Sequence, residues 1–210
     1  MHIFKIFIDY TKEEKWLNEM SKKGYEVINN SFGYTFKNIN PEDITYRIDY
    51  RTFKTKQDFI DYCTVFEDSG WKHILGSKSS GNQYFKKVSE NSDDDIFSDN
   101  ISKAARYKRA SNIWLTFASS YFVILISLAL TGAINLNAFI NPKELYFTPG
   151  LWEATGSTFW KKFLFETPFA LGRGFIWLIF PISIAIYLYC ILKASKLYKK
   201  TIKDKYDKFQ

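Results

Sequence analysis

The sequence contains a long uncharged stretch, SNIWLTFASSYFVILISLALT, at residues 111–131. As an α-helix this stretch would rise about 30 Å, which matches the hydrocarbon thickness of a bilayer. A second uncharged stretch, GFIWLIFPISIAIYLYCIL, occupies residues 174–192 and is also just long enough to cross. A soluble chain of 210 residues is too small to surround two helices that are apolar on every face. The two stretches therefore predict a transmembrane helical hairpin.

Basic residues outside these stretches predict the orientation of the hairpin, because lysine and arginine are concentrated on the cytoplasmic side of membrane proteins. The segment between the stretches, residues 132–173, holds few basic residues and is expected to be extracytoplasmic or interfacial. Both chain termini, including a basic tail at 193–210, are expected in the cytoplasm of a multi-pass cell-membrane protein. The residues expected at the membrane surface are Arg106, Lys108, Arg109, Lys193, Lys196, Lys199 and Lys200.

The net charge of +7 is unevenly placed. Residues 1–110 have a balance of only +1, whereas residues 111–210 have +6. Most of the excess charge therefore lies beside the predicted spans, where each basic side chain near an anionic leaflet gains about 1 kcal/mol. Membrane lipids are the expected partner, and direct nucleic-acid binding is not expected because the N-terminal region is nearly neutral.

Residues 1–88 contain an internal repeat. The matching pairs occur in order along the chain: IDY at 8–10 and 48–50, TKEE at 11–14 and TKQD at 55–58, GY at 24–25 and GW at 70–71, and FK at 36–37 and 85–86. The offset between the copies grows steadily, as small insertions in loops would produce. The order of the matches predicts a duplicated structural unit.

The pattern of each copy predicts a strand, a helix and two further strands. Alternation from Phe4 to Tyr10 predicts the first strand, and residues 46–50 match it in the second copy. Capping boxes at 11–14 and 55–58 are expected to open the two helices, and glycines at the ends of both helices suit the left-handed position there. The predicted fold class is α+β: duplicated β-α-β-β units joined into one antiparallel sheet of about six strands, with both helices on one face, followed by the hairpin.

Strand alternation would leave opposed charges and an aromatic ring on the sheet face without helices. The candidate ligand cleft on this face consists of Phe7, Asp9, Arg47, Asp49 and Arg51. These residues could hold a small ligand or a peptide. The same pattern also fits a solvated sheet face with surface ion pairs that contribute little.

Residues 89–110 are predicted to form an acidic linker followed by a basic juxtamembrane helix that continues into the first span. Movement in the N-terminal domain could then reach the membrane.

The residue types give little indication of an enzyme. The two cysteines, Cys63 and Cys190, are far apart, and His2 and His73 are the only histidines. No zinc spacing, phosphate loop or nucleophile elbow is visible, so neither a metal nor a cofactor is expected. A pair of carboxylates, Asp9 and Asp49, is the remaining route to an enzyme, but its symmetric place in the repeat favours a structural role.

A set of motifs also resembles a known family. The motifs are EKWLNEMSKKGY at 14–25, GYTF at 33–36, YRID at 46–49, FEDSGW at 66–71, QYFK at 83–86 and IFSD at 96–99. They are similar to a domain-of-unknown-function family of Gram-positive bacterial membrane proteins, often encoded beside PadR-type transcriptional regulators. The resemblance covers residues 1 to about 110 and implies a regulatory role and a PadR-type partner, but no catalytic residue.

Two functions fit these observations. The first is a membrane-anchored, non-enzymatic sensor whose cytoplasmic domain binds a small ligand or a PadR-type regulator. The second is an envelope protein that forms homo-oligomers through its spans and affects permeability or export.

Overall fold

The computed structural model describes residues 1–206 of the chain. They form two compact units, of which the first contains residues 1–113 together with the chain from Cys190 onward, and the second contains Trp114–Tyr189. Positions 207–210 of the expected basic tail lie outside the described residues.

The duplicated domain, residues 1–88, has the same element order in both copies. The first copy consists of β1 (His2–Ile3), α1 (Tyr10–Lys22), β2 (Tyr25–Asn29) and β3 (Tyr34–Asn38). The second consists of β4 (Tyr46–Tyr50), α2 (Lys56–Asp68), β5 (Trp71–Leu75) and β6 (Asn82–Lys87). The strand orders are β1-β3-β2 and β4-β6-β5, and every pairing is antiparallel. The α+β class and its β-α-β-β units are therefore confirmed.

The six strands form two three-stranded sheets, so the expectation of one continuous sheet is corrected. The edge strands β2 and β5 each carry a register shift, between Val27 and Asn29 and between His73 and Leu75. Such bulges twist an edge strand and interrupt the regular ladder that a neighbouring strand would need. A side-chain pair reaches across instead, from Lys86 Nζ in β6 to Glu26 Oε1 in β2 at 3.1 Å.

The prediction of a strand from Phe4 to Tyr10 is wrong: β1 ends at Ile3, and no residue from Phe4 to Asp9 lies in a strand. Phe4 and Ile6 lie outside β1 and are 72% and 76% exposed. This segment packs on α1 instead, with the ring of Phe7 against Trp16. Asp9 takes the N-cap position of α1, where its carboxylate accepts the backbone N–H groups of Thr11 and Lys12 at 3.1 and 3.3 Å. The helix therefore begins at Tyr10, and the expected capping box at residues 11–14 is wrong.

The second copy confirms its predicted helix ends. Thr55 Oγ1 accepts the N–H of Asp58 at 3.0 Å, and the Asp58 carboxylate accepts the N–H of Thr55 at 3.2 Å, which completes the capping box. Gly70, just past α2, has φ +81°, and a Cβ there would lie 2.8 Å from the Cβ atoms of Ser89 and Ser92. Glycine is thus required at this position both by backbone conformation and by space.

Aromatic rings fill much of the core of the duplicated domain. In the second copy Tyr62, Trp71 and Phe85 are buried together, with Phe66 and Ile96 packed against them. Ile96 lies beyond β6, so part of the segment predicted as a solvated linker helps to cover this core.

Two helices are long and apolar enough to span a membrane. They are α3 (Asn100–Leu130) and α4 (Gly156–Tyr206), with apolar windows of mean hydropathy 2.0 and 2.4. The juxtamembrane segment from Asn100 and the first predicted span form one uninterrupted helix, as expected. The second predicted span, residues 174–192, is the middle of a longer helix that also includes residues 156–173.

Within the second unit the two helices run antiparallel. Phe117 lies 5.7 Å from Tyr187 and Tyr121 lies 6.0 Å from Phe180, measured between ring centroids. The connecting residues fold onto them through two short 3-10 helices, Leu136–Phe139 and Pro142–Leu145. Ile134, Ala138 and Trp177 form a small buried cluster there.

Candidate functional site

A buried ion pair links the juxtamembrane end of α3 to the duplicated domain. Arg106 has no exposed side-chain surface, and its Nη1 donates to Glu14 Oε1 and to the carbonyl oxygen of Ile48. Glu14 Oε1 also accepts the backbone N–H of Ile48 at 3.0 Å. Three elements, α1, β4 and α3, therefore meet at one guanidinium group.

Aromatic rings surround the same guanidinium group. The Cζ atom of Arg106 lies 5.2 Å from the ring centroid of Tyr10 and 5.3 Å from those of Phe97 and Tyr107. Rings at this distance attract a cation while keeping water away from it. Arg106 is thus unavailable to lipid headgroups, which corrects its assignment to the membrane surface. Its side chain positions α3 on the domain.

A second ion pair joins α3 to β4 one helical turn further along. Arg109 Nη2 donates to Asp49 Oδ1, and Arg109 Nε donates to the carbonyl oxygen of Tyr50. The other carboxylate oxygen of Asp49 accepts the Tyr62 hydroxyl at 2.9 Å. Burial, reinforced by the negative charge of Asp49, raises the pKa of Tyr62 and keeps this hydroxyl a donor. Arg109 also belongs to the domain rather than to a headgroup layer, although 34% of its side chain is exposed.

A third buried carboxylate connects the two copies of the repeat. Glu13 Oε1 accepts the hydroxyl of Tyr34 in β3 and the hydroxyl of Tyr84 in β6, both at 2.6 Å. Burial raises the pKa of Glu13 from 4.5 to about 7, although the two tyrosine hydroxyls favour the ionised form. Glu13 therefore titrates near neutral pH while it accepts hydrogen bonds from one tyrosine in each copy.

A cavity of about 300 Å³ lies beside the Asp49–Arg109 pair. Its walls combine two guanidinium groups with rings and aliphatic side chains: Asp49, Arg51, Tyr62, Phe66, Ile96, Phe97 and Arg109 are among the lining residues. An adjoining groove of about 610 Å³ shares Arg51, Tyr62 and Phe66 with it. The cavity can therefore offer a positive charge and an apolar surface to one molecule.

Two of the five residues of the predicted cleft line this cavity, namely Asp49 and Arg51. The structure places the other three elsewhere. Phe7 packs on Trp16 with ring centroids 5.4 Å apart, Asp9 caps α1, and Arg47 donates to the carbonyl oxygen of Asp94 at 2.6 Å. The predicted cleft does not form as one site, because β1 ends before Phe7 and the side chain of Asp49 is held by Tyr62 of α2.

Sequence reasoning missed Tyr62, Phe97 and Glu13 as site residues. For Glu13 no local signal existed, because its neighbours Lys12, Glu14 and Lys15 are all charged and predict a solvated stretch of the helix. For Phe97 no local signal existed, since its neighbours read as a polar linker.

The lysines expected at the membrane surface lie in the N-terminal part of α3 and the C-terminal part of α4. Lys108 and Lys199 line a cavity of about 230 Å³ with Tyr107, Ser111, Ala194, Ser195 and Tyr198. Lys193, Lys196 and Lys200 are also in α4, and the last two are exposed. In residues 1–206 no cluster of three or more metal-ligating side chains is present.

These features define the class: a duplicated α+β domain fixed to the first of two helices that are long enough to cross a membrane. A family model of proteins of unknown function, DUF2812, matches residues 9–119, which is more than half of the chain, and the protein belongs to that family. The match covers both copies except β1, and it includes both ion pairs to α3 and the first part of the apolar stretch. No curated protein and no solved structure matches the chain.

Proposed function

We propose that this protein is a membrane-anchored, non-enzymatic regulatory sensor whose cytoplasmic domain binds a small ligand and passes the event to α3. One observation carries the proposal: Arg109 belongs to α3 and also lines the ligand-sized cavity, where it pairs with Asp49. A ligand that alters this pair acts directly on a helix that continues to Leu130. The excess of basic residues at 103–109 and 193–203 supports a cytoplasmic location for the domain and both termini.

The chemistry of the cavity favours an amphipathic anion. Arg51 is exposed at its rim, lies over the Tyr62 ring at 5.4 Å, and has no carboxylate partner among residues 1–206. Phe66, Ile96 and Phe97 supply apolar wall opposite this charge. A carboxylate or sulfonate on an aromatic ring would satisfy both surfaces, since a hydrogen bond to a charged partner contributes about 1.5–3 kcal/mol.

A pair of matched probes tests this chemistry. Isothermal titration of the full chain in nanodiscs should detect 1-naphthoate, whereas 1-naphthylmethylammonium, with the same ring and opposite charge, should not bind. Arg51→Gln should weaken naphthoate binding about tenfold or more. Lys72→Gln, which removes an exposed charge from β5 outside the cavity, serves as the control. Equal binding of both probes, or no effect of Arg51→Gln, would contradict the proposal.

Transmission to α3 has its own readout. Saturating naphthoate should change amide hydrogen exchange in residues 100–113, because the Asp49–Arg109 pair is part of the site. Binding without any change there would leave a ligand-binding domain but would remove the sensing role.

A PadR-type regulator of a Gram-positive bacterium remains the second partner within the same proposal. Its support is an exposed apolar surface in the first copy, where Phe4 and Phe32 are 72% and 85% exposed. The backbone beside Phe32 lies close to that of Phe4, because a Cβ on Gly33 would lie 3.0 Å from the Cα of Phe4. Exposed apolar patches of this kind mark interaction sites. The full chain should co-elute with a PadR-type regulator, and Phe32→Ser should abolish co-elution, whereas Ile60→Ser on α2 should not.

A further inference from the structure

The cavity lined by Lys108 and Lys199 has the chemistry of a phosphate site. Each lysine comes from a different helix, Lys108 from α3 and Lys199 from α4, and both are exposed. Neither has an ion-pair partner in the part of the chain that the structure describes. Two serines, Ser111 and Ser195, also line the cavity and can donate to an anion.

No carboxylate lines the cavity. Two uncompensated positive charges on facing helices repel one another, and an anion between them removes that repulsion. A lysine ammonium group is a strongly hydrated point charge with three donors, which suits a phosphate rather than an apolar ligand.

The position of the cavity along both helices points to a lipid as the source of the phosphate. Ser111 is the first residue of one uncharged stretch, and Ala194 lies two residues beyond the end of the other, at Leu192. Lys108 lies three residues before the first stretch and Lys199 lies seven residues beyond the second, so both flank the apolar sequence on the side where headgroups are expected. Ala194 and the rings of Tyr107 and Tyr198 provide the less polar wall that a glycerol backbone would contact.

We infer that this cavity binds the phosphate headgroup of an anionic phospholipid between Lys108 and Lys199. The site differs from the ligand cavity beside Asp49 and would hold α3 and α4 together just outside their uncharged stretches. The inference rests on the membrane anchoring proposed above, but not on the sensing role.

Native mass spectrometry of the full chain in dodecyl maltoside tests the site. Dioleoylphosphatidylglycerol should bind with a defined stoichiometry, and dioleoylphosphatidylcholine should bind at least tenfold more weakly. The double variant Lys108→Gln/Lys199→Gln should reduce phosphatidylglycerol affinity about tenfold or more, at about 1 kcal/mol for each lysine. The matched control is Lys196→Gln/Lys200→Gln, which removes the same charge from the same end of α4 outside the cavity.

Each outcome decides the inference. An equal loss in both double variants would show diffuse electrostatic attraction, and no loss in either would show that the lysines are not ligands; both results overturn it. Inorganic phosphate at millimolar concentration should not displace the lipid, and equally tight phosphate binding would show a free-anion site instead. Near-ultraviolet circular dichroism confirms that each variant is folded, and membrane fractionation of the unmodified chain reports on anchoring separately from headgroup binding.

Discussion

Glu13 should make the stability of the domain depend on pH in a way that a single substitution removes. Its folded pKa of about 7 lies above the usual 4.5, so the folded state favours the protonated carboxyl group. Its contribution to stability is therefore fully present below about pH 4.5 and is lost as pH rises through about 7. A shift of that size corresponds to about 3 kcal/mol, at about 1.4 kcal/mol for each pH unit. Only 1% of the residue is exposed, so solvent does little to screen the effect.

Glu13→Gln keeps an oxygen that can accept the hydroxyls of Tyr34 and Tyr84 but removes the titration. The variant minus wild-type difference in unfolding free energy should rise by about 3 kcal/mol between pH 4.5 and pH 8, in favour of the variant. The measurement is urea unfolding of the full chain in detergent, followed by near-ultraviolet circular dichroism. Glu19→Gln, an exposed glutamate in the same helix, should show a difference that does not change with pH. A flat difference for Glu13→Gln over this range would refute the reasoning.

Three further substitutions test other parts of the structure. Arg106→Met leaves Glu14 buried without its partner and should destabilise the domain by about 3–5 kcal/mol in urea unfolding, whereas Lys12→Met on the exposed side of α1 should change it by less than about 1 kcal/mol. Thr55→Ala removes the capping box of α2 and should cost about 1 kcal/mol in the same assay, and no loss would contradict the observed cap. Arg173 donates to the carbonyl oxygen of Leu145 and to Glu166, so Arg173→Gln should speed proteolytic cleavage within residues 141–150, while Lys161→Gln should leave the cleavage rate unchanged.

Features set by local sequence were predictable. The strand at 46–50 has the predicted bounds, the capping box at Thr55 forms, and both uncharged stretches lie in long apolar helices. The strand and the capping box depend on residues that are close in sequence, and the apolar helices depend on a continuous run of apolar side chains. The local order of residues therefore predicts this part of the fold.

Features set by distant partners were not predictable. The alternation from Phe4 to Tyr10 looks like a strand, but Phe7 packs on Trp16 of α1 and no residue from Phe4 to Asp9 lies in a strand. Arg106 reads as a membrane-surface residue among other basic residues, yet its partner Glu14 lies 92 positions away. Neither local pattern indicates a pairing over such a distance, so only the structure shows that Arg106 and Glu14 form a buried ion pair.

The uninterrupted path of α3 limits how this sequence can change in length. Arg106 and Arg109 fix the phase of the helix at its domain end, and hydrogen bonding within the helix carries that phase forward to Leu130. One residue inserted after Ala110 would turn every later side chain about 100° around the helix axis and advance it by about 1.5 Å. Insertions of seven residues, close to two full turns, nearly restore the angle. Functional variants that differ in length at this junction should therefore differ by about a whole number of helical turns.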